Sequence, residues 1–234
     1  AKGIEQAGSV EAFIKTDLYN PKRQMLGEEQ EAWLQQALQR SKARGATWQV
    51  LGQQVLMGKL NIPVIPPEEL AKLELSEYAR PRVEQTQQLA PYGLPSNLDA
   101  WDGYPAARER LFAMLSAHAT NPVSLAGDTH NGWAFNLTNQ KGEAVGVEWG
   151  TPGISSPGLE NYVPLPPAQM QALLKGASPE LVACDTSQRG WTHVTLTPEA
   201  ATAQWRFVSS VTEPTYRTSA GEPLVTQRNA RALA

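Results

Sequence analysis

Pro122-Val123-Ser124-Leu125-Ala126-Gly127-Asp128-Thr129-His130-Asn131 is the stretch on which the reading of this chain turns. Its first five residues form a short apolar run of the kind that fills a buried strand. Gly127 ends the run, and Asp128 and His130 then arrive where the carboxyl edge of a sheet would be. Open α/β sheets bind their ligands at that edge. Asp oxygen and His nitrogen suit a hard or borderline divalent or trivalent ion. The plainer reading is a Gly-Asp turn with a satisfied polar histidine. Taken alone, the residues favour the turn; what lifts the metal reading is the company they keep.

Upstream of this strand the chain alternates helix and strand signals. Pro105 opens a helix at its first turn, with Leu111, Leu115, Ala107 and Met114 placed to be buried. Trp48 to Met57 reads for the most part as another buried strand. A helix from about Glu28 to Ser41 precedes it, with Trp33, Leu34, Ala37 and Leu38 on one face. Glu28, Glu29 and Glu31 sit at its start and Arg40 and Lys42 at its end, matching the helix dipole, and Gly45 is placed to stop it. Residues 59 to 100 are rich in proline and polar residues and read as an excursion over the sheet edge. Strand, helix and strand in this order imply parallel pairing with helices covering the sheet.

Downstream the pattern changes. Segments around Phe135–Leu137, Ala144–Trp149, Trp191–Leu196 and Gln204–Val208 look like short antiparallel strands, with a turn at Thr197-Pro198-Glu199. A short helix near Pro167 to Lys175 interrupts them, and the tail beyond Thr212 reads as peripheral with Arg228 and Arg231 exposed. The expected fold class is α/β, a mixed sheet with flanking helices.

Composition narrows the function classes. A net charge of −3 with scattered Lys and Arg gives no nucleic-acid footprint. The single Cys184 excludes an internal disulfide and a multi-thiolate zinc site, and it reads as a small buried side chain. No stretch approaches the roughly 18 apolar residues of a transmembrane helix. Most of the seven tryptophans should anchor core or loops. A thiol or serine hydrolase finds no support, because Cys184 and Ser155 have no paired histidine at a recognisable spacing.

Five segments, in order, resemble the PhoD-like alkaline phosphatases of the calcineurin-like metallophosphoesterase superfamily. They are Met25-Leu26-Gly27-Glu28-Glu29-Gln30-Glu31-Ala32-Trp33-Leu34, Trp48-Gln49-Val50-Leu51-Gly52-Gln53-Gln54-Val55, and Trp101-Asp102-Gly103-Tyr104-Pro105 with Arg108-Glu109-Arg110-Leu111. Gly127-Asp128-Thr129-His130 and Glu148-Trp149-Gly150-Thr151-Pro152-Gly153-Ile154-Ser155-Ser156-Pro157 complete the set. Arg189-Gly190-Trp191 would open a closing strand. The family's earlier metal motifs, a Gly-Asp-x-x-Tyr-x-Asp strand end and a Trp-Asp-Asp-His-Glu segment, have no counterpart here. Residues 1–234 are therefore expected to be the C-terminal portion of a sandwich of this type.

The resemblance implies a phosphoric ester hydrolase of alkaline phosphatase or phosphodiesterase type with a mixed iron–calcium centre. Two metals roughly 3.5–4 Å apart can activate water and hold the phosphoryl oxygens of an in-line displacement. By that resemblance Asp128 and His130 each ligate a different metal, and an Asp at its position favours an oxygen-loving ion such as calcium. Two ligands are too few for such a centre, so activity is expected only with an N-terminal half as partner. The rival reading is a non-catalytic fragment or pseudoenzyme domain that keeps the fold and binds partners. A half-domain would also expose apolar sheet surface, which favours oligomers. Family analogy points to a periplasmic or secreted location.

Other residues carry weaker expectations. Asp102 and Tyr104 could order the site from behind, with Asp102 read more simply as the cap of the helix at Pro105. Asn131 could equally contact phosphate or hold a loop. Ser155 and Ser156 could line the pocket, an ordinary turn being the simpler assignment. Arg108 and Arg110 suit phosphate chemically, but a solvated helix face is the better reading. His118 near a helix C-terminus and His193 on a strand are assigned to structure.

Overall fold

A computed structural model of the protein describes residues 2–234. Two short helices, α1 (Lys2–Ala7) and α2 (Val10–Phe13), lead into a wide turn at Ile14–Leu18. The acidic start and basic end of α3 (Glu28–Ala43) frame the helix as the sequence implies, and Gly45 follows it at φ +74°. Next come β1 (Gln49–Gly52), α4 (Pro67–Leu70), α5 (Arg80–Leu89) and α6 (Pro105–His118). The strand that decides the fold is β2 (Pro122–Ala126), followed by β3 (Gly132–Thr138) and β4 (Ala144–Gly150). α7 (Pro167–Ala177) and β5 (Leu181–Asp185) complete the first unit. The chain finishes in β6 (Arg189–Leu196), β7 (Ala200–Val208), β8 (Thr218–Ala220) and β9 (Leu224–Gln227).

The first sheet has the order β1-β2-β4-β3-β5. The crossover through α6 makes β1 and β2 parallel, β2 and β4 are also parallel, and β3 runs antiparallel to both β4 and β5. Alternation along β3 sorts side chains by layer. Trp133, Phe135 and Leu137 pack with Leu111, Phe112 and Leu115 of α6 and with Met170 and Leu174 of α7. Ala134 faces the other way, toward a second sheet in which β7 pairs with β6, β8 and β9. The inward residues Ala201, Ala203, Trp205 and Phe207 of β7 close this layer, each alternate neighbour being half-buried. Gly132 lets the sheets meet, since a Cβ there would lie 2.9 Å from the Trp205 ring. The result is helix layer, mixed sheet and antiparallel sheet, an α/β sandwich.

Several expectations are corrected. Only Gln49–Gly52 of the Trp48 to Met57 run is regular strand, because β1 is the edge of its sheet; Val50 there is exposed. On α3 only Leu38 is buried, and Trp33 is 60% exposed because it flanks an open groove between α3 and β1. Trp191 is exposed as well, on a strand whose outer face meets solvent. Within residues 59–100, α5 is a helix the polar sequence does not signal, held through Val83, and Ile62, Ala90 and Leu94 of this segment form a separate cluster with Leu18. The tail is not peripheral: β8 and β9 pair with β7, and Thr226 is buried. Arg228 is exposed, but Arg231 is half-buried and donates from Nη2 to the Ala119 carbonyl at 2.9 Å. No helix among the described residues is long and apolar enough to cross a membrane.

Candidate metal and phosphate site

Beyond Ala126 the chain leaves β2 through a tight turn. The Gly127 N–H donates to the Gln54 carbonyl at 2.9 Å, and the Thr129 N–H returns to the Gly127 carbonyl at 2.8 Å. Asp128 and His130 on either side of Thr129 take left-handed backbone, φ +67° and +60°. For L-residues this costs roughly 1–2 kcal/mol each, with Asp among the more tolerant, so surrounding contacts must over-determine the turn. They do. Thr129 Oγ1 accepts the Trp133 indole N–H at 2.6 Å, and the His130 carbonyl accepts from the Gly153 N–H at 3.0 Å and from Arg189 Nη1 at 2.9 Å.

The His130 ring is oriented by the loop after β4. Its Nδ1 lies 2.8 Å from the Pro157 carbonyl, and a carbonyl can only accept, so Nδ1 carries the proton and the Nε2 lone pair is available. An acceptor of this kind is the usual partner of a metal-binding imidazole. Asp128 is exposed, and its Oδ1 accepts from Gln54 Nε2 at 3.2 Å. Asn131, almost fully buried, accepts the Leu159 N–H on Oδ1 at 3.0 Å and so holds the loop. Its Nδ2 is buried with no partner among the described residues. Asp128, Thr129, His130 and Asn131 all line one end of a cavity of about 460 Å³.

A sequence model of the PhoD-like phosphatases matches residues 4–205. The chain belongs to that family. It is 31% identical over 219 residues to alkaline phosphatase D of Bacillus subtilis (strain 168), covering 92% of this chain and 32% of that protein. A solved structure described as the structure of PhoD superposes with a TM-score of 0.64 at 26% identity, over 92% of this chain and 36% of that one. The chain thus spans about a third of the length of the relatives it matches. The mixed α/β architecture is shared with that structure.

The weaker site residues separate. Asp102 is not the cap of α6; the residue in that place is Tyr104, with no side-chain hydrogen bond to the helix. The Asp102 carboxylate instead turns inward and accepts the Leu60 N–H at 2.9 Å. Burial pushes its pKa up to about 7, against the opposing pull of the Leu60 N–H and the Arg108 charge. Asp102 shares a small cavity of about 30 Å³, large enough to hold water, with Asp128 and Thr129. Tyr104 packs under the Arg23 guanidinium at 4.0 Å and does not line the main cavity. Ser155 is exposed and Ser156 half-buried; Pro157 and Gly158 of their loop reach the cavity and the serines do not. His118 lies beside Gln35 at the end of α6, and His193 is exposed on β6.

Three supporting residues, Arg108, Glu148 and Arg189, escaped the sequence reading. Arg108 is 1% exposed, not solvated: Nε donates to the Met57 carbonyl at 2.7 Å and Nη2 pairs with Glu180 at 2.6 Å. It shares the buried stripe of α6 with positions 111, 112 and 115. Arg110 behaves as expected at the surface, paired with Glu31. Glu148, fully buried, accepts the Met57 and Gly58 N–H groups and the Ser124 hydroxyl, and burial raises its pKa. A charged residue inside the apolar run Val145-Gly146-Val147-Glu148-Trp149 was the available signal. Arg189 pairs with Glu160 while holding the His130 carbonyl. Cys184 is buried and its thiol is pushed up to about 12, mainly by that burial, so it is not a nucleophile.

Proposed function

We propose that this chain is the C-terminal portion of a phosphoric ester hydrolase and brings Asp128 and His130 to a dinuclear iron–calcium centre. The observation that carries the reading is the His130 ring. With Nδ1 committed to Pro157, its Nε2 is left open, two residues from the Asp128 carboxylate on a strained turn at the carboxyl edge of β2. The donor chemistry suits the two ions, imidazole nitrogen for iron and carboxylate oxygen for calcium. The number of donors does not complete a centre: among the described residues no three His, Cys, Asp or Glu side chains gather as a metal shell. The remaining ligands are assigned to an N-terminal half of the same domain. When bound, such a pair of ions supplies an activated water and neutralises charge on a phosphoryl group.

This chain's own residues perform the positioning. Gln54 fixes one oxygen of Asp128, Pro157 fixes the His130 tautomer, and Asn131, buried behind them, holds the Leu159 loop. The free edge of β1, with Val50 and Trp33 exposed beside a groove of about 380 Å³, suits pairing with the N-terminal half or with a second copy. By family analogy the protein works in the periplasm or outside the cell. The rival reading, a non-catalytic binding module, draws on the same shortage of ligands and describes the chain on its own.

The test uses the protein carrying both halves. Asp128→Ala and His130→Ala should each lower metal content and cut hydrolysis of phosphate mono- and diesters by at least roughly a hundredfold, about 2.7 kcal/mol. His118→Ala and His193→Ala should leave both intact. Full metal and rate in His130→Ala, with both lost in His193→Ala, would put the site on the wrong strand.

A further inference from the structure

The cavity that begins at Asp128 and His130 continues well past them. Away from the turn its walls are Ile62, Ile65, Val83 of α5, and Met170 and Leu174 of α7, all buried hydrophobics. Of the polar side chains in the lining, Gln87 and Thr86 are already committed, and Arg82, Ser96 and Tyr162 stand exposed at its rim. Gln87 accepts the Ile65 N–H at 2.7 Å and donates to the Pro63 carbonyl at 3.0 Å. The Thr86 hydroxyl donates to the Arg82 carbonyl at 2.7 Å, and the Arg82 guanidinium stacks on Tyr78 at 3.8 Å. Inside that rim the walls offer no open polar group. At about 460 Å³ the whole cavity lies in the size range of small-molecule sites, which combine apolar walls with a few convergent polar groups.

We infer that the apolar arm receives the alcohol portion of the substrate, and that this portion is an aryl ring or alkyl chain, its phosphate end lying at Asp128 and His130. The inference rests on the phosphate-ester reading only for the identity of that polar end. The chemistry selects against sugar, glycerol and other polyol esters, whose hydroxyls would be buried among Val83, Met170 and Leu174 without partners. It selects for a hydrophobic group held next to the reacting phosphate. An arm of this kind adds binding energy remote from the reacting atoms.

The test needs no metal and uses the 234-residue chain itself. Binding of 1-naphthol, n-octanol and glycerol is measured by calorimetry and by NMR of the Met170 methyl group. The two apolar alcohols should bind at least roughly tenfold more tightly than glycerol and shift the Met170 signal. Tighter naphthol assigns an aryl ring and tighter octanol an alkyl chain. Val83→Trp and Leu174→Trp fill the arm from opposite sides, and each folded variant should weaken apolar binding by at least roughly tenfold. Apolar alcohols that bind no better than glycerol would overturn the inference, as would binding that leaves Met170 unmoved or survives in a folded filling variant. His130→Ala should retain apolar binding. Retained binding in a protein that never hydrolyses esters would reject the proposed reaction and leave the arm's specificity standing.

Discussion

Replacing Arg189 by Ala is expected to loosen His130 without dismantling the fold. The guanidinium is one-tenth exposed and makes three attachments: the His130 carbonyl and the Gln188 carbonyl, both at 2.9 Å, and the Glu160 carboxylate. A charge-assisted bond to a buried carbonyl contributes about 1.5–3 kcal/mol. Glu160 keeps enough solvent contact that its pair with Arg189 adds at most about 1 kcal/mol. A loss of about 2–3 kcal/mol in urea denaturation is expected, and Arg189→Lys should recover only part, because an ammonium cannot span both carbonyl and carboxylate. Burial opposes the Glu160 charge, but Arg189 and backbone donors outweigh it and hold the carboxyl below its ordinary 4.5. A depressed folded pKa gives stability that is present above the carboxylate range and lost as pH falls through the folded value. That acid-side loss should disappear in Arg189→Ala. Nitrogen NMR of the imidazole should at the same time show the Nδ1–H form giving way to a tautomer mixture. A variant with wild-type stability and an unchanged imidazole spectrum would refute the reasoning.

Two further outcomes follow from buried charges. The Asp102 carboxyl has a folded pKa near 7 against 3.8 unfolded, so the folded state holds the extra proton between those values and stability should fall as pH rises across that window. Asp102→Asn, which keeps an oxygen for the Leu60 N–H, should remove about 3 kcal/mol of that decline in urea titrations at pH 4.5 and 8, leaving the slope from Glu148; identical slopes in both proteins would count against the assignment. Arg108→Met strands the buried Glu180 carboxylate and should cost about 3–5 kcal/mol, partly restored by adding Glu180→Gln. A loss under about 1 kcal/mol would mean the pair is solvated after all.

The apolar periods of α6 and β2 and the glycine after Ala126 were enough to place Asp128 and His130 at a sheet edge, because local pattern alone fixes where a strand stops. What the sequence withheld depends on distant partners. Arg108-Glu109-Arg110 looks like a charged face, yet Arg108 turns inward because Glu180, far along the chain, supplies its countercharge. Asp102 stands where a cap would, but the Leu60 N–H, not the helix, is its partner. α5 has one buried residue and no periodicity to reveal it. Arg189 gave no sign of its link to His130, which exists only because the second sheet folds back against the loop after β4.

The left-handed turn at Asp128 and His130 sets two demands in opposition. Glycine at either position would adopt φ near +60° freely, so the substitutions that relieve this backbone strain are those that delete the two donors. Any search that ranks variants by melting temperature will drift toward a well-behaved protein with a silent strand end. Stabilising this scaffold while keeping its chemistry therefore means holding positions 128 and 130 fixed and improving elsewhere, for instance at the exposed surface of α3.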